Sequence, residues 1–174
     1  MYSKLTVPKD SAWGKKTWRY YAPNWFKNFT DGVHNLWRWK KVMWNDRNWD
    51  HNYIYDVLLH KLLLQREYLV KHNRFEGIEQ VNRDITICLN LIERLKSDYY
   101  VMEYMDYDDH WGTVGTLDEY FNMHRSTVKR CLKKDRNLMN DKRLLAMRVA
   151  RANQDKAQAL LFRILNEKIN TFWD

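Results

Sequence analysis

The sequence predicts a mostly α-helical protein, a compact bundle of about five helices with an irregular segment near residues 101–124. Five glycines and two prolines among 174 residues leave few places for turns, which favours long helices over a many-stranded sheet. Apolar residues also recur at intervals of three and four, the period of an amphipathic helix. The length fits one domain over 1–174, with 1–22 as an extended N-terminal arm.

The first two predicted helices lie in the N-terminal half. The first begins near Pro23, a favourable residue for a first turn, and its apolar face is expected to enter the core. That face consists of Phe26, Phe29, Val33, Leu36 and Trp37. The second spans about His51 to Val70, with Asp50 or Asn48 as its N-cap.

Three further helices follow in the C-terminal part. One spans about Glu76 to Tyr100, and its single apolar stripe contains Ile78, Val81, Ile85, Cys88, Ile92, Leu95 and Tyr99. A short basic helix runs from about Ser126, its expected cap, to Lys134. A long helix covers 141–172, and its alanine-rich first half is expected to let another helix come close.

The net charge of +8 hides three blocks of opposite sign. Residues 1–74 hold 14 basic and 6 acidic side chains, 75–124 hold 3 and 11, and 125–174 hold 13 and 5. The blocks can compensate each other within one chain, or an acidic block can pair with a basic block of another copy. The second arrangement predicts a homo-oligomer.

Aromatic and basic residues alternate in the first fifty positions, where seven of the nine tryptophans lie. Such a mixture is typical of sites that stack bases and neutralise phosphates. It equally fits tryptophans that fill a helical core beneath a basic outer surface. Helical spacing places Trp37 with Phe26 and Val33 on the core face, which leaves Arg38 and Trp39 as binding candidates.

The octet Trp44-Asn45-Asp46-Arg47-Asn48-Trp49-Asp50-His51 is the densest cluster of chemically versatile side chains. It could bind a metal, relay a proton or hold a phosphate, or it could simply connect and cap two helices. The candidate ligand-binding residues are Arg38, Trp39, Lys41, Trp44, Arg47, Asp50 and His51, together with Arg125, Lys129 and Arg130 of the basic helix.

Three places in the sequence carry a resemblance, namely this octet, the pattern Tyr53-Ile54-x-x-Val57-Leu58-x-x-Lys61-Leu62 and the C-terminal Lys156-Ala157-x-x-Leu160-Leu161-Phe162-x-x-Leu165…Phe172-Trp173-Asp174. In these places the sequence resembles a group of small proteins encoded by tailed phages. Asn48 and Phe172 depart from the residues expected there, Asp and Trp. The motifs are not catalytic signatures. The resemblance therefore implies a phage origin and a role as counter-defence binder, host-takeover factor or virion accessory protein.

Catalytic motifs were tested by their spacing. Asp106, Asp108 and His110 begin like a calcium loop, but Trp111 replaces the required glycine and Leu117 the required glutamate. Asp106, Asp108 and Asp109 could still hold magnesium together with substrate phosphates. No catalytic residue, resident metal or cofactor is assigned, and the protein is expected not to be an enzyme.

A helix-turn-helix is a further interpretation of the basic region, with Leu117–Phe121 as first helix and Arg125–Arg130 in the recognition helix. Its turn lacks the usual glycine.

The sequence thus predicts a non-enzymatic phage protein that binds an anionic ligand. The preferred ligand is a nucleotide immune signal, sequestered in pockets shared between subunits. The alternatives are a nucleic-acid-binding accessory protein, a metal-dependent nucleotide phosphohydrolase and a virion structural protein. Apolar runs too short to cross a membrane and two cysteines without metal-binding spacing favour a reduced, cytoplasmic location in an infected bacterial host.

Overall fold

A computed structural model describes the chain over residues 17–44, 52–72, 77–111 and 114–172, with side chains from residue 26 onward. These ranges are mostly helical and contain no strand, which confirms the mostly α class. The α-helices there are α1 (Thr17–Trp44), α2 (Asn52–His72), α3 (Ile78–Lys96), α4 (Tyr99–Met105), α5 (Leu117–Met123), α6 (Arg125–Lys134) and α7 (Lys142–Lys168). Two short 3₁₀ helices cover Arg136–Asn140 and Ile169–Phe172.

The seven α-helices in these ranges exceed the predicted five or so for two reasons. Asp98, in the left-handed region at φ 50°, separates α3 from α4, so the predicted helix to Tyr100 is two helices. The segment expected to be irregular also holds most of α4 and all of α5, which begins with a capping box between Thr116 and Glu119. The capping box therefore starts a helix in a segment whose apolar pattern is too short to predict one.

Two predicted helix starts were wrong. Helix α1 begins at Thr17, so 17–22 are helical and Pro23 lies inside the helix; residues 1–16 are outside the described ranges. Helix α6 has His124 at its N-cap, and Ser126 is already its second residue. The proposed caps Asp50 and Asn48 of the second helix also lie outside the described residues.

The chain divides into two compact units, Met1–Arg47 and Asn48–Asp174. Helix α1 belongs to the first unit and α2 to α7 belong to the second. The single-domain organisation over 1–174 stays a prediction.

The apolar face of α1 has the predicted period but does not form the predicted core. Phe26 and Trp37 are each 69% exposed, and Val33 is half exposed. Periodicity identifies a face that is able to pack, but it does not identify the partner.

Helix α7 organises the second unit because it contributes to two hydrophobic cores. The first core joins its C-terminal half to α2 and α3, and its buried residues are Leu62, Leu69, Ile85, Cys88, Leu89, Ile92, Leu95, Ala157, Leu161, Leu165 and Phe172. The second joins its N-terminal half to α5 and α6, and its buried residues are Leu117, Tyr120, Cys131, Leu138, Leu145, Ala146 and Val149. Ala146, Ala150 and Ala157 are buried along α7, as expected for close helix approach.

Polar contacts fix the start of α7 and the loop beside it. Asp141 is the N-cap, and its side chain accepts a hydrogen bond from the backbone N–H of Leu144 at 3.0 Å. Asp108 is buried, accepts from the backbone N–H of His110 and pairs with Arg143 at 3.2 Å. These contacts hold the second core against the turn that follows α4.

Cys88 and Cys131 are buried and free, and burial with the nearby Asp84 raises the pKa of Cys88 to about 11. Among the helices described, none combines the length and apolar character needed to cross a membrane.

Candidate functional site

The four sequence-predicted binding residues of α1 do not share a face. Arg38, Lys41 and Trp44 are exposed, whereas Trp39 is half-buried. At about 100° per residue, Arg38, Lys41 and Trp44 lie within about 120° of one another around the helix axis, whereas Trp39 points to another side. The structure therefore does not bring these four side chains together. Arg47, Asp50 and His51 lie outside the described residues.

The three C-terminal candidates lie on α6 and are exposed. Arg125 and Lys129 are four residues apart and share a face, and Arg125 donates to Oδ1 of Asn122 at 3.1 Å. Arg130 lies close enough to Lys156 of α7 for its charge to lower the pKa of that lysine. Only His124 separates α5 from α6, whereas a helix-turn-helix has a turn of three to four residues.

A pocket that sequence reasoning missed lies at the middle of α7, between the two hydrophobic cores. Its volume is about 330 Å³, within the lower range of small-molecule sites. Helices α3, α4 and α7 and residue His124 form its walls. The lining residues are Leu91, Arg94, Tyr99, Tyr100, Glu103, His124, Asn153, Lys156, Ala157 and Leu160.

A chain of polar contacts runs along one side of this pocket. Lys156 donates from Nζ to Oγ1 of Thr127, and the Thr127 hydroxyl donates to Oδ1 of Asn153 at 2.9 Å. The Asn153 amide nitrogen lies 3.2 Å from Nδ1 of His124. Nε2 of His124 lies 3.2 Å from Oε2 of Glu103. These contacts connect α7, α6, the His124 junction and α4.

The three hydrogen bonds from Lys156 to His124 have a consistent direction, and the last contact, between His124 and Glu103, is a close approach of charged or polar atoms. When Asn153 donates to Nδ1 of His124, the neutral imidazole carries its proton on Nε2, the nitrogen that faces Glu103. Hydrogen bonds aligned in one sense polarise and strengthen each other in a low dielectric. Thr127 and Asn153 are buried, so removing either would leave buried polar atoms without partners.

Two cationic side chains border the cavity. Burial, followed by the charge of Arg130, lowers the pKa of Lys156, and Cys131 acts in the opposite direction. One contact from Lys156 Nζ to Thr127 leaves the ammonium with further N–H donors for a ligand. The Arg94 guanidinium carbon lies 4.9 Å from the centre of the Tyr99 ring. The pocket thus combines positive charge with an aromatic surface.

Glu103 is the acidic member of the pocket, and each of its carboxylate oxygens faces a neighbouring side chain. The Tyr99 hydroxyl donates to Oε1 at 3.1 Å, and burial, then Glu103, raises the pKa of Tyr99. Oε2 faces His124, although the two atoms are not aligned for a hydrogen bond. The hydroxyl of Tyr120 is buried without a hydrogen-bond partner in the described part of the chain, and burial, then Glu103, raises its pKa.

This arrangement is suited to binding. Nδ1 of His124 faces the Asn153 amide and Nε2 faces the Glu103 carboxylate, so both ring nitrogens lie beside protein groups. The polar chain holds Lys156 at the edge of this open pocket, and Leu91 and Leu160 contribute apolar surface to its lining. The pocket is open to solvent, and it combines apolar surface with a few polar groups, as small-molecule sites do.

One signal in the sequence could have indicated this pocket. Asn153 interrupts the small and apolar residues that α7 buries, between Ala150 and Ala157. A buried polar residue needs hydrogen-bond partners, so Asn153 predicts a polar cluster at this turn of the helix. The partners Glu103, His124 and Thr127 are distant in the sequence, and no spacing rule connects them.

The acidic segment 106–109 was considered as a magnesium site, but one of its carboxylates instead makes contacts within the fold. Asp108 is turned inward to Arg143 and the His110 amide, while Asp106 and Asp109 are exposed. In the described ranges, no three His, Cys, Asp or Glu side chains come together in a way that could hold a metal ion.

Comparison with known proteins gives no match: no family model, curated protein or solved structure is significantly similar to this chain.

Proposed function

We propose that this protein binds a small anionic ligand without converting it, and that the ligand occupies the pocket between α3, α4 and α7. The observation that supports this most strongly is that Lys156, Arg94 and Tyr99 line one open pocket. This proposal moves the ligand away from α1, whose candidate residues point in different directions.

A nucleotide is the ligand that this chemistry favours. Phosphate oxygens accept hydrogen bonds from Lys156 and Arg94, and such charge-assisted contacts are stronger than neutral ones. The rings of Tyr99 and Tyr100, whose centres lie 5.5 Å apart, offer aromatic surface for a base. A cavity of about 330 Å³ suits one nucleotide unit of a larger signal.

The biological role follows from the phage-like sequence motifs. A phage protein that binds nucleotides without turnover would act as a sponge for nucleotide immune signals in the cytoplasm of an infected bacterium. Self-association is part of the same proposal, since the charge blocks favour a homo-oligomer. A nucleotide phosphohydrolase and a virion protein are the alternatives that the test must distinguish.

The test is calorimetric titration and thermal shift of the purified protein with cyclic oligonucleotides, ADP-ribose derivatives and mononucleotides. We expect saturable binding without turnover. Lys156→Met and Arg94→Gln should each weaken affinity by about tenfold or more, because each removes charged hydrogen bonds worth about 1.5–3 kcal/mol.

Matched controls remove the same charges elsewhere. Lys168→Met and Arg163→Gln change exposed residues of α7 outside the pocket lining and should leave affinity unchanged. No binding to any ligand of the panel would refute the proposal, as would equal losses in the controls. Metal-dependent consumption of the nucleotide would favour the phosphohydrolase, and recovery of the protein in purified particles would favour the virion role.

Nucleic-acid binding is the second candidate, and the composition of α6 favours it. Its ten residues contain five basic and no acidic side chains, and all five are exposed. Such a face can lie along a phosphate backbone. Gel retardation should then weaken with salt and with Lys129→Glu, while Lys156→Met should have little effect. If Lys129→Glu leaves the retardation unchanged, the basic face of α6 is not the nucleic-acid-binding surface.

A further inference from the structure

The exposed apolar residues of α1 follow a heptad pattern. Phe26, Phe29, Val33, Leu36 and Met43 occupy alternating intervals of three and four, with Lys40 completing the series between Leu36 and Met43. In heptad terms, 26, 33 and 40 are positions a, and 29, 36 and 43 are positions d. This repeat is typical of a helix that pairs with another helix along one seam.

The amount of exposed apolar surface is large enough for a stable interface. Seven residues on or beside the seam are each at least half exposed, namely Phe26, Phe29, Val33, Leu36, Trp37, Met43 and Trp44. With 150–250 Å² for a full aromatic side chain, they offer on the order of 800 Å². That is about the area each partner contributes to a standard protein interface, near 800 Å². A shallow groove of about 560 Å³ runs along the same helix beside Gly32, Val33 and Leu36.

The charges of α1 do not oppose pairing of two copies. Among residues 26–44, the flanking e and g positions are Thr30, Trp37, Trp44, Gly32 and Trp39, none of which is charged. The charged residues Lys27, Asp31, Arg38 and Lys41 occupy positions b and f, away from the seam. Like charges of two copies would therefore stay apart, although the helix as a whole is basic.

Lys40 selects the orientation of the two helices. In parallel pairing, Lys40 would meet Lys40 of the second copy in an apolar seam. In antiparallel pairing, positions whose numbers sum to 69 meet: Phe26 with Met43, Phe29 with Lys40 and Val33 with Leu36. The Lys40 ammonium already lies 3.1 Å from the centre of the Trp37 ring, and Phe29 of the second copy would add a second aromatic surface.

We infer that α1 is the self-association surface of this protein, and that two copies pair through it as antiparallel helices. The inference specifies the surface for the proposed homo-oligomer and replaces contact between charge blocks with an apolar seam. It is independent of the ligand pocket, which lies within the second unit of one chain.

The first test is molar mass in solution by light scattering and sedimentation. The wild-type protein should be a dimer of 21.5 kDa chains, and Leu36→Lys should convert it to a monomer. Asp31→Lys, which puts the same side chain at position f of the same helix, should remain a dimer. A monomeric wild type, or a Leu36→Lys dimer, would overturn the inference. An unchanged ligand affinity in Leu36→Lys separates this result from the ligand proposal.

The second test determines the orientation by disulfide cross-linking between differently tagged chains. Positions 26 and 43 are 17 residues apart, which is about 26 Å along a helix. In the antiparallel pair, Phe26→Cys chains should cross-link to Met43→Cys chains and not to each other. Self-linking of Phe26→Cys alone would indicate parallel pairing and overturn this orientation. Circular dichroism of each variant establishes that it has folded.

Discussion

Helices α1 and α7 have nearly the same length, 28 and 27 residues, yet they use their apolar residues differently. The apolar stripe of α1 is exposed, whereas α7 buries Val149 and Leu161 completely. The sequence of α1 has the stronger helical periodicity of apolar residues, with a clear stripe from Phe26 to Met43. Helix α7 carries its buried residues on more than one side because it contributes to two cores.

This difference shows what a periodic pattern predicts. A stripe states that one face of a helix can be buried, and a helix surrounded by neighbours need not show a stripe at all. Helix α7 is stabilised by packing within its own unit. Helix α1 has the chemical character of an interface, and we propose that a second copy supplies what covers it.

The largest expected effect compares the same substitution in the two helices. Leu161→Ala opens a cavity in the first core and should lower the free energy of unfolding of the second unit by about 2–5 kcal/mol. Leu36→Ala removes the same atoms from an exposed position and should change that value by no more than about 0.5 kcal/mol. Urea unfolding with hydrogen exchange of α7 peptides measures both. If both variants lose a similar amount of unfolding free energy, then α1 does not differ from α7 in the way that its exposed side chains indicate.

The buried polar chain predicts an intermediate effect. Asn153→Ala leaves the buried Thr127 hydroxyl and a His124 ring nitrogen without their partner, so stability should fall by about 1–3 kcal/mol. Gln158→Ala removes an exposed amide from the same helix and serves as the control. A loss in Asn153→Ala no larger than in the control would mean that the chain of contacts does not hold the pocket together.

Much of the fold could be predicted because it depends on local chemistry. The apolar stripe from Ile78 to Leu95 predicted the start of α3 to within two residues, because residues three and four apart lie on the same face of a helix. The break after Lys96 could not be predicted, because Ser97 and Asp98 are not strong helix breakers. Asp98 takes a left-handed conformation there, and α4 packs against α7, a contact distant in the sequence.

The site was harder to predict because it depends on contacts distant in the sequence. Among the candidates that lie within the described residues, Arg130 affects the pocket through its charge on Lys156. The pocket residues come from four separate segments, namely Arg94, Glu103, His124 and Asn153. In the sequence, the spacing of none of them stands out from that of ordinary surface residues. Counting charge by block did not indicate the cationic pair of the pocket. Arg94 belongs to the net acidic block 75–124, and Lys156 belongs to the basic block 125–174.

The smallest expected effect concerns the glycine within α1. Gly32 is helical, and a Cβ added there would meet no atom of the described structure within 4 Å. Gly32→Ala should therefore stabilise α1 by up to about 1 kcal/mol, because alanine has less backbone freedom to lose and a higher helix propensity. Gly115→Ala is the contrasting change, since its methyl group would collide with the Glu119 carboxylate and the Tyr107 ring. Hydrogen exchange should then become slower in α1 peptides of Gly32→Ala and faster in α5 peptides of Gly115→Ala. Faster exchange of α1 in Gly32→Ala would contradict this prediction. It would mean that the two α1 helices approach closely at Gly32, so that an added methyl group weakens their pairing by more than the higher helix propensity of alanine stabilises the helix.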